Sequence, residues 1–281
     1  MNIVKQIVSM LPILLTDSMK IAFALLGGIE IVLSFSDFSL DCVGKLPVQI
    51  VVVVLAYIML VAGTIYVKRL MTRDEITLEI NSMNVIVKQG DIFKADGRKI
   101  IPFNEFFDTK VDDIVIDKDS LNGKLIIEHL DDDGRKALNE AISADDNSSL
   151  KKQLDIETNK YKFPLGRIKV FTYVNNEYLL LALNHFNAQN EAHTNRGEYE
   201  QTLRTMWKEI DRTNASKPVF LPLVGTGKRR VDDMREMTKF EFLKCILCTL
   251  RTSRIKLVKP LTILLTKDTL AEINLYELKG L

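Results

Sequence analysis

The chain has 281 residues, enough for one large domain or two small ones. Lys and Arg number 38 against 37 Asp and Glu, a formal net charge of +1, so the basic excess of a nucleic-acid binder is missing. With 47% apolar and 27% charged residues, the composition excludes a disordered chain.

The charge is unevenly spread. Residues 1–67 carry seven charged side chains, Lys5, Asp17, Lys20, Glu30, Asp37, Asp41 and Lys45, while the other 214 residues carry 68. Leu46 to Val67 runs for 22 residues without a charge. As a helix it would extend roughly 33 Å, enough to cross a hydrocarbon core of about 30 Å. A buried core helix is the alternative, but such helices are seldom uncharged for so long. Met19 to Phe35 is a second, weaker stretch that contains Glu30. The pattern predicts two N-terminal transmembrane helices, over about 19–35 and 46–67, joined by the polar loop 36–45. This hairpin would form an anchor of residues 1–73, ahead of a domain over 74–281.

Ile3, Val4, Ile7, Val8, Leu11, Leu14 and Leu15 recur at helical spacing, as an interfacial helix or an extension of the first span. No small-x-small cleavage site follows Leu15, so a cleaved signal peptide is not expected. Lys5 and Lys20 flank the first span, and Lys68, Arg69 and Arg73 follow the second. The positive-inside rule then puts both termini in the cytoplasm, giving a multi-pass protein of the inner (cytoplasmic) membrane with the lipid bilayer as a partner. Glu30 either lines a pore or pairs between helices, or reaches the outer interface.

Beyond residue 73 the periodicity changes. Thr77–Ile80 and Val85–Val87 alternate as strands, and the second ends at Gly90-Asp91-Ile92-Phe93. Lys99–Asn104 is a short apolar run entering a loop, and a helix is predicted within 131–142. Residues 167–174 and 178–183 read as a strand pair around Asn175-Asn176. A helix over about 196–212 places Leu203, Met206, Trp207 and Ile210 on one face. A buried strand over 218–224 leads into Gly225-Thr226-Gly227-Lys228-Arg229-Arg230, followed by a helix over about 234–253. Leu261–Leu265 is a last buried strand, and Asp268 is expected to cap a helix running to about Leu278. Strands alternating with helices predict an α/β sandwich with a mixed sheet.

Metal chemistry finds little support. Cys245-x-x-Cys248 has no second pair, and its apolar helical setting points to core packing. His129, His185 and His193 form no metal-binding motif. The informative piece is the strand that runs into Gly225-Thr226-Gly227. Glycines let a backbone approach a ligand closely, and consecutive free N–H groups form an anion nest. The following helix would add the positive end of its dipole, and Lys228, Arg229 and Arg230 add charge. A diphosphate is the natural guest. The segment is not a Walker A loop, because Pro222 replaces its first glycine and Arg229 its Ser or Thr.

The order strand-Gly90-Asp91-Ile92, then Ile100-Ile101-Pro102-Phe103-Asn104, then Leu221-Pro222-Leu223-Val224-Gly225-Thr226-Gly227 resembles the macro domain, an α/β/α sandwich that binds ADP-ribose. The resemblance covers roughly residues 77–270. It implies that Asp91 accepts from the adenine amino group, that Ile92 backs the ring with Phe93 beside it, and that Asn104 lies near the distal ribose. Gly225, Thr226 and Gly227 would hold the diphosphate, with Lys228 and Arg229 beside them. The stretch 102–108 is bulkier and more acidic than the family's asparagine-rich loop. Lys-Arg-Arg also departs from the small or aromatic residues usual after the glycines. Both departures imply a different distal group, with a base-exchanged nucleotide and an amino-acid conjugate both open.

Apolar segments ahead of such a domain resemble the transmembrane–macro effectors of Thoeris anti-phage defence, on the stretch NVIVKQGDIF…KIIPFNEFFDT…VFLPLVGTGKRR. That resemblance implies a sensor without catalysis, catalytic residue, metal or cofactor. Its ADP-ribose-derived signal would come from a TIR-domain enzyme, and binding would drive homo-oligomerisation and membrane disruption. The alternative is a membrane-bound hydrolase of ADP-ribose conjugates. Glu105 and Asp108 are then candidate acids, with no paired base located in the sequence.

Overall fold

The computed structural model describes residues 19–20, 27, 56–67, 74–144, 153–155, 160–187, 191–213, 216–227 and 233–280. The chain divides into two compact units, Met1–Ile76 with Asn274–Leu281, and Thr77–Ile273. In the first unit, residues 56–67 are helical. The rest of the expected spans, apart from Met19, Lys20 and Gly27, lies outside the described residues. The expectation of a multi-pass membrane protein is overturned: among the described residues no helix is long and apolar enough to cross a membrane.

The second unit is built on a mixed sheet, as expected from the alternation of strands and helices. Its strands are β1 (Glu75–Ile80), β2 (Met83–Gln89), β3 (Arg98–Asn104), β6 (Ile168–Tyr173), β7 (Asn176–Phe186), β8 (Ala192–His193), β9 (Val219–Pro222) and β10 (Leu261–Leu265). The order across the sheet is β1-β2-β10-β9-β3-β7-β6, with β8 paired to β7. Short strands β4 (Gln153–Asp155) and β5 (Lys160–Lys162) pair separately. The pairs β2·β10, β10·β9, β9·β3 and β3·β7 are parallel, whereas β6·β7 and β7·β8 are antiparallel. All five residues of β10 are buried, as befits a central parallel strand covered on both faces.

Turn chemistry fixes the edges of the sheet. Asn81 and Ser82 between β1 and β2 both have positive φ, 53° and 60°, as do Val174 (41°) and Asn175 (62°) between β6 and β7. Two-residue turns of this hand match the twist of the strands they join.

Helices cover both faces. On one face α1 (Leu121–Glu128) and α2 (Asp132–Ser143) bring Leu125, Ile126 and Leu138 onto Ile101, Phe103, Phe171 and Leu180. α3 (Arg196–Thr213) buries Tyr199, Leu203, Met206, Trp207 and Ile210, one stripe at helical spacing. It packs on α4 (Lys239–Ser253), where the Trp207 Nε1–H donates to Thr249 Oγ1 at 3.1 Å. The last helix, α5 (Lys267–Glu272), is capped by Thr266, whose side chain accepts from Thr269 N. The expected cap, Asp268, sits inside its first turn. The apolar run after Glu272 continues as a separate 3-10 turn, Leu275–Gly280.

Candidate functional site

In open sheets of parallel strands, ligands bind outside the carboxyl ends of the strands. The loops that follow β2, β3, β9 and β10 all leave the same end of this sheet, and the described residues among those nominated from sequence lie at the first three.

After β2, Gly90 N donates to Leu265 O at 3.0 Å. A Cβ on Gly90 would come within 2.7 Å of Leu264 Cδ2, so a larger residue there would have to displace the end of that side chain. Asp91 caps the 3-10 turn Ile92–Lys94, its Oδ1 accepting from Phe93 N at 3.0 Å. The carboxylate is exposed and keeps its second oxygen for an outside donor. Ile92 is buried among Ile101, Phe103 and Leu264 and supports the turn from beneath. Phe93 is half-buried and stacks on His129, with centroids 4.0 Å apart and planes 18° apart.

After β3, Asn104 is buried and bonded within its own loop. Its Nδ2 donates to Asp108 Oδ2 at 2.9 Å, and its Oδ1 accepts from Phe106 N at 3.1 Å and Asp108 N at 3.2 Å. The asparagine thus shapes the loop that a ligand would meet.

After β9, Gly225 has φ +94°, and a Cβ there would meet Tyr199 Cε2 at 2.8 Å and Phe242 Cδ1 at 3.1 Å. The Tyr199 hydroxyl donates to Val224 O at 2.9 Å, so α3 holds the loop from below. Thr226 Oγ1 donates back to Leu223 O at 3.2 Å. Thr226 and Gly227 are exposed, and among the described residues nothing lies within 4 Å of where a Cβ on Gly227 would be. Lys228, Arg229 and Arg230 lie outside the described residues.

The expected contribution of the next helix is corrected. A 3-10 turn, Asp233–Glu236, intervenes, and α4 starts only at Lys239, closed by a capping box between Thr238 and Glu241. The Thr238 and Glu241 amides are satisfied by that box and the first turn carries an acid, so α4 offers little to an anion. Beside it is a cleft of about 230 Å³ lined by Arg196, Tyr199, Glu200, Met237, Glu241, Lys244 and Cys245. Burial pushes the Cys245 thiol up to about 11, which leaves it protonated and unreactive at neutral pH. Cys245 is half-buried, but Cys248 is exposed rather than part of the core.

Sequence reasoning missed His185. The acid Glu105, just beyond β3, is 1% exposed and lies 2.7 Å through Oε2 from His185 Nδ1. Its Oε1 accepts from Phe186 N at 3.2 Å and lies 3.7 Å from Lys162 Nζ. The Glu105 hydrogen bond raises the His185 pKa above its ordinary 6.5. No local motif announces this pair, because 80 residues separate its members. Among the described residues no group of three or more His, Cys, Asp or Glu is placed to hold a metal ion.

With this geometry in hand, comparison with known proteins is informative. Residues 85–266 match the family model described as Thoeris protein ThsA, Macro domain. Thoeris protein ThsA of Bacillus amyloliquefaciens (strain Y2) is 32% identical over 257 residues, covering 88% of this chain and 82% of that protein. A singly substituted Oceanobacillus iheyensis macrodomain solved with ADPR is 14% identical with a TM-score of 0.48, over 73% of this chain and 96% of that one. The same organism's macrodomain with ADP is 13% identical with a TM-score of 0.46, over 73% and 94%.

Proposed function

The chain belongs to the Thoeris ThsA macro-domain family, and from that premise we propose that its unit Thr77–Ile273 binds an ADP-ribose-derived nucleotide as a signal. The observation that carries this reading is the convergence, at one end of four parallel strand pairs, of an exposed carboxylate at Asp91 and a tight bend at the buried Gly225 that leads into the exposed Thr226 and Gly227. A carboxylate accepts from an exocyclic amine, and free amides at a glycine bend receive phosphate oxygens. A nucleoside diphosphate presents both groups.

In this reading the signal comes from a TIR-domain enzyme, and binding favours a homo-oligomeric state of the chain. That requires tighter binding to the assembled form, since equal affinity for two states shifts neither. The protein itself does no chemistry. A hydrolase of ADP-ribose conjugates would need a general base, and the partner of Glu105 is an imidazole biased toward its charged form, better suited to donate than to abstract.

Calorimetry of the full chain with ADP-ribose and its base-exchanged relatives tests the reading. Saturable binding is expected, with the nucleotide recovered intact by mass spectrometry. Asp91→Ala removes a charge-assisted hydrogen bond of about 2 kcal/mol, roughly thirtyfold in affinity. Gly227→Glu places a carboxylate where phosphate should sit, with no atom of the described residues within 4 Å of the new Cβ, and is expected to abolish binding in protein that thermal melts show to be folded. Folded protein that binds none of these nucleotides would reject the proposal, and released ribose products would redirect it to the hydrolase.

A further inference from the structure

Glu105 and His185 meet because β3 and β7 run parallel with Asn104 opposite Asn184, so each is the next residue along its own strand. Both therefore emerge at the end of the sheet that carries the Asp91 and Gly225 loops. The buried carboxylate engages His185 at Nδ1 and the Phe186 amide at its other oxygen. The ring is thereby fixed in orientation, and its Nδ1 retains a proton. The imidazole is 31% exposed, and among the described residues no hydrogen bond is made at Nε2. The groups around it are Glu105, Lys162 of β5, Glu198 of α3, and His193 of β8, whose ring centroid is 5.7 Å away.

α3 links this pair to the phosphate loop. Glu198 acts electrostatically on His185, and the very next residue, Tyr199, lies against Gly225 and donates to Val224 O. One helical turn, about 5.4 Å of axis, therefore serves both His185 and the bend of the loop.

We propose that His185 is a further ligand-binding residue, whose Nε2–H donates to an acceptor oxygen in the half of the ligand beyond Gly225–Gly227, and that Glu105 is the positioning residue that fixes its ring and tautomer. The inference rests on the nucleotide-binding reading above. Protonation decides whether the contact exists. With Nδ1–H held by Glu105, the neutral imidazole has a bare Nε2 that cannot donate, whereas the imidazolium donates from both nitrogens. Glu105 raises the pKa of His185, so the donor is present in acid and is lost as pH rises through the elevated value.

The test is titration of the full chain with ADP-ribose between about pH 5.5 and 9. Each phosphate of ADP-ribose carries one ester and one anhydride linkage and a single strongly acidic hydroxyl, so both keep their charge throughout and any slope comes from the protein. Wild-type affinity is expected to fall roughly tenfold across the range. His185→Ala is expected to bind weakly at low pH and to show a flat profile. Glu105→Gln keeps the packing and is expected to move the midpoint to lower pH, and thermal melts confirm that each variant is folded. A flat wild-type profile, or an unchanged slope in folded His185→Ala, overturns the inference and leaves the nucleotide-binding reading standing. Failure of the folded wild type to bind ADP-ribose at any pH removes both.

Discussion

Gly225 shows how much a single backbone conformation can organise. At φ +94° it occupies a region that side chains rarely adopt, with Tyr199 and Phe242 packed where a Cβ would go. Those two rings meet edge to face at 5.5 Å, so neither can move without disturbing the other. Gly225→Ala is therefore expected to cost about 1–3 kcal/mol, measured as a shift in urea midpoint. The residues of this loop are recognisable in the sequence because glycine names its own conformational role. Asn104 is a contrasting case. Its residue type fits a ligand contact equally well, and only the three hydrogen bonds it makes within residues 104–108 reveal its local duty.

At the scale of elements, legibility follows the range of the interactions involved. The turn at Asn175, the apolar stripe of α3 and the all-buried β10 are written in local pattern, and the sequence reading finds them. α1 is missed because its eight residues include a glycine and an asparagine. It is held by the Ser120 cap and by burial of Leu125 and Ile126 rather than by propensity. The start of α4 was legible in principle, as Thr238-Lys239-Phe240-Glu241 spells a capping box. Thr238→Ala is expected to cost about 1 kcal/mol of stability and to leave ADP-ribose affinity unchanged. Paired calorimetry and chemical denaturation separate the two quantities. A loss of affinity would return the α4 terminus to the phosphate site.

Across the whole molecule, the two ends of the sheet have different occupations. Away from the candidate site, Arg98 Nε bonds Glu177 Oε2 at 2.7 Å, Lys217 Nζ reaches Glu177 Oε1 at 2.6 Å, and Arg98 also donates to Thr213 O. The Lys217 hydrogen bond is the largest influence holding the Glu177 carboxyl below its usual range. Arg98 is 6% exposed, so Arg98→Ala is expected to cost about 3 kcal/mol by leaving a part-buried carboxylate with one partner fewer. Distant sites add independently, so the surviving folded protein should bind ADP-ribose within about twofold of wild type in calorimetry.

The placement of β10 carries a temporal consequence. It is the last of the described strands in chain order, yet it lies between β2 and β9, the two strands whose loops carry Asp91 and Gly225. Until residues 261–265 have left the ribosome, the loops after β2 and β9 have no common wall. The proposed cleft is therefore completed in one step, when β10 slides into its slot between them.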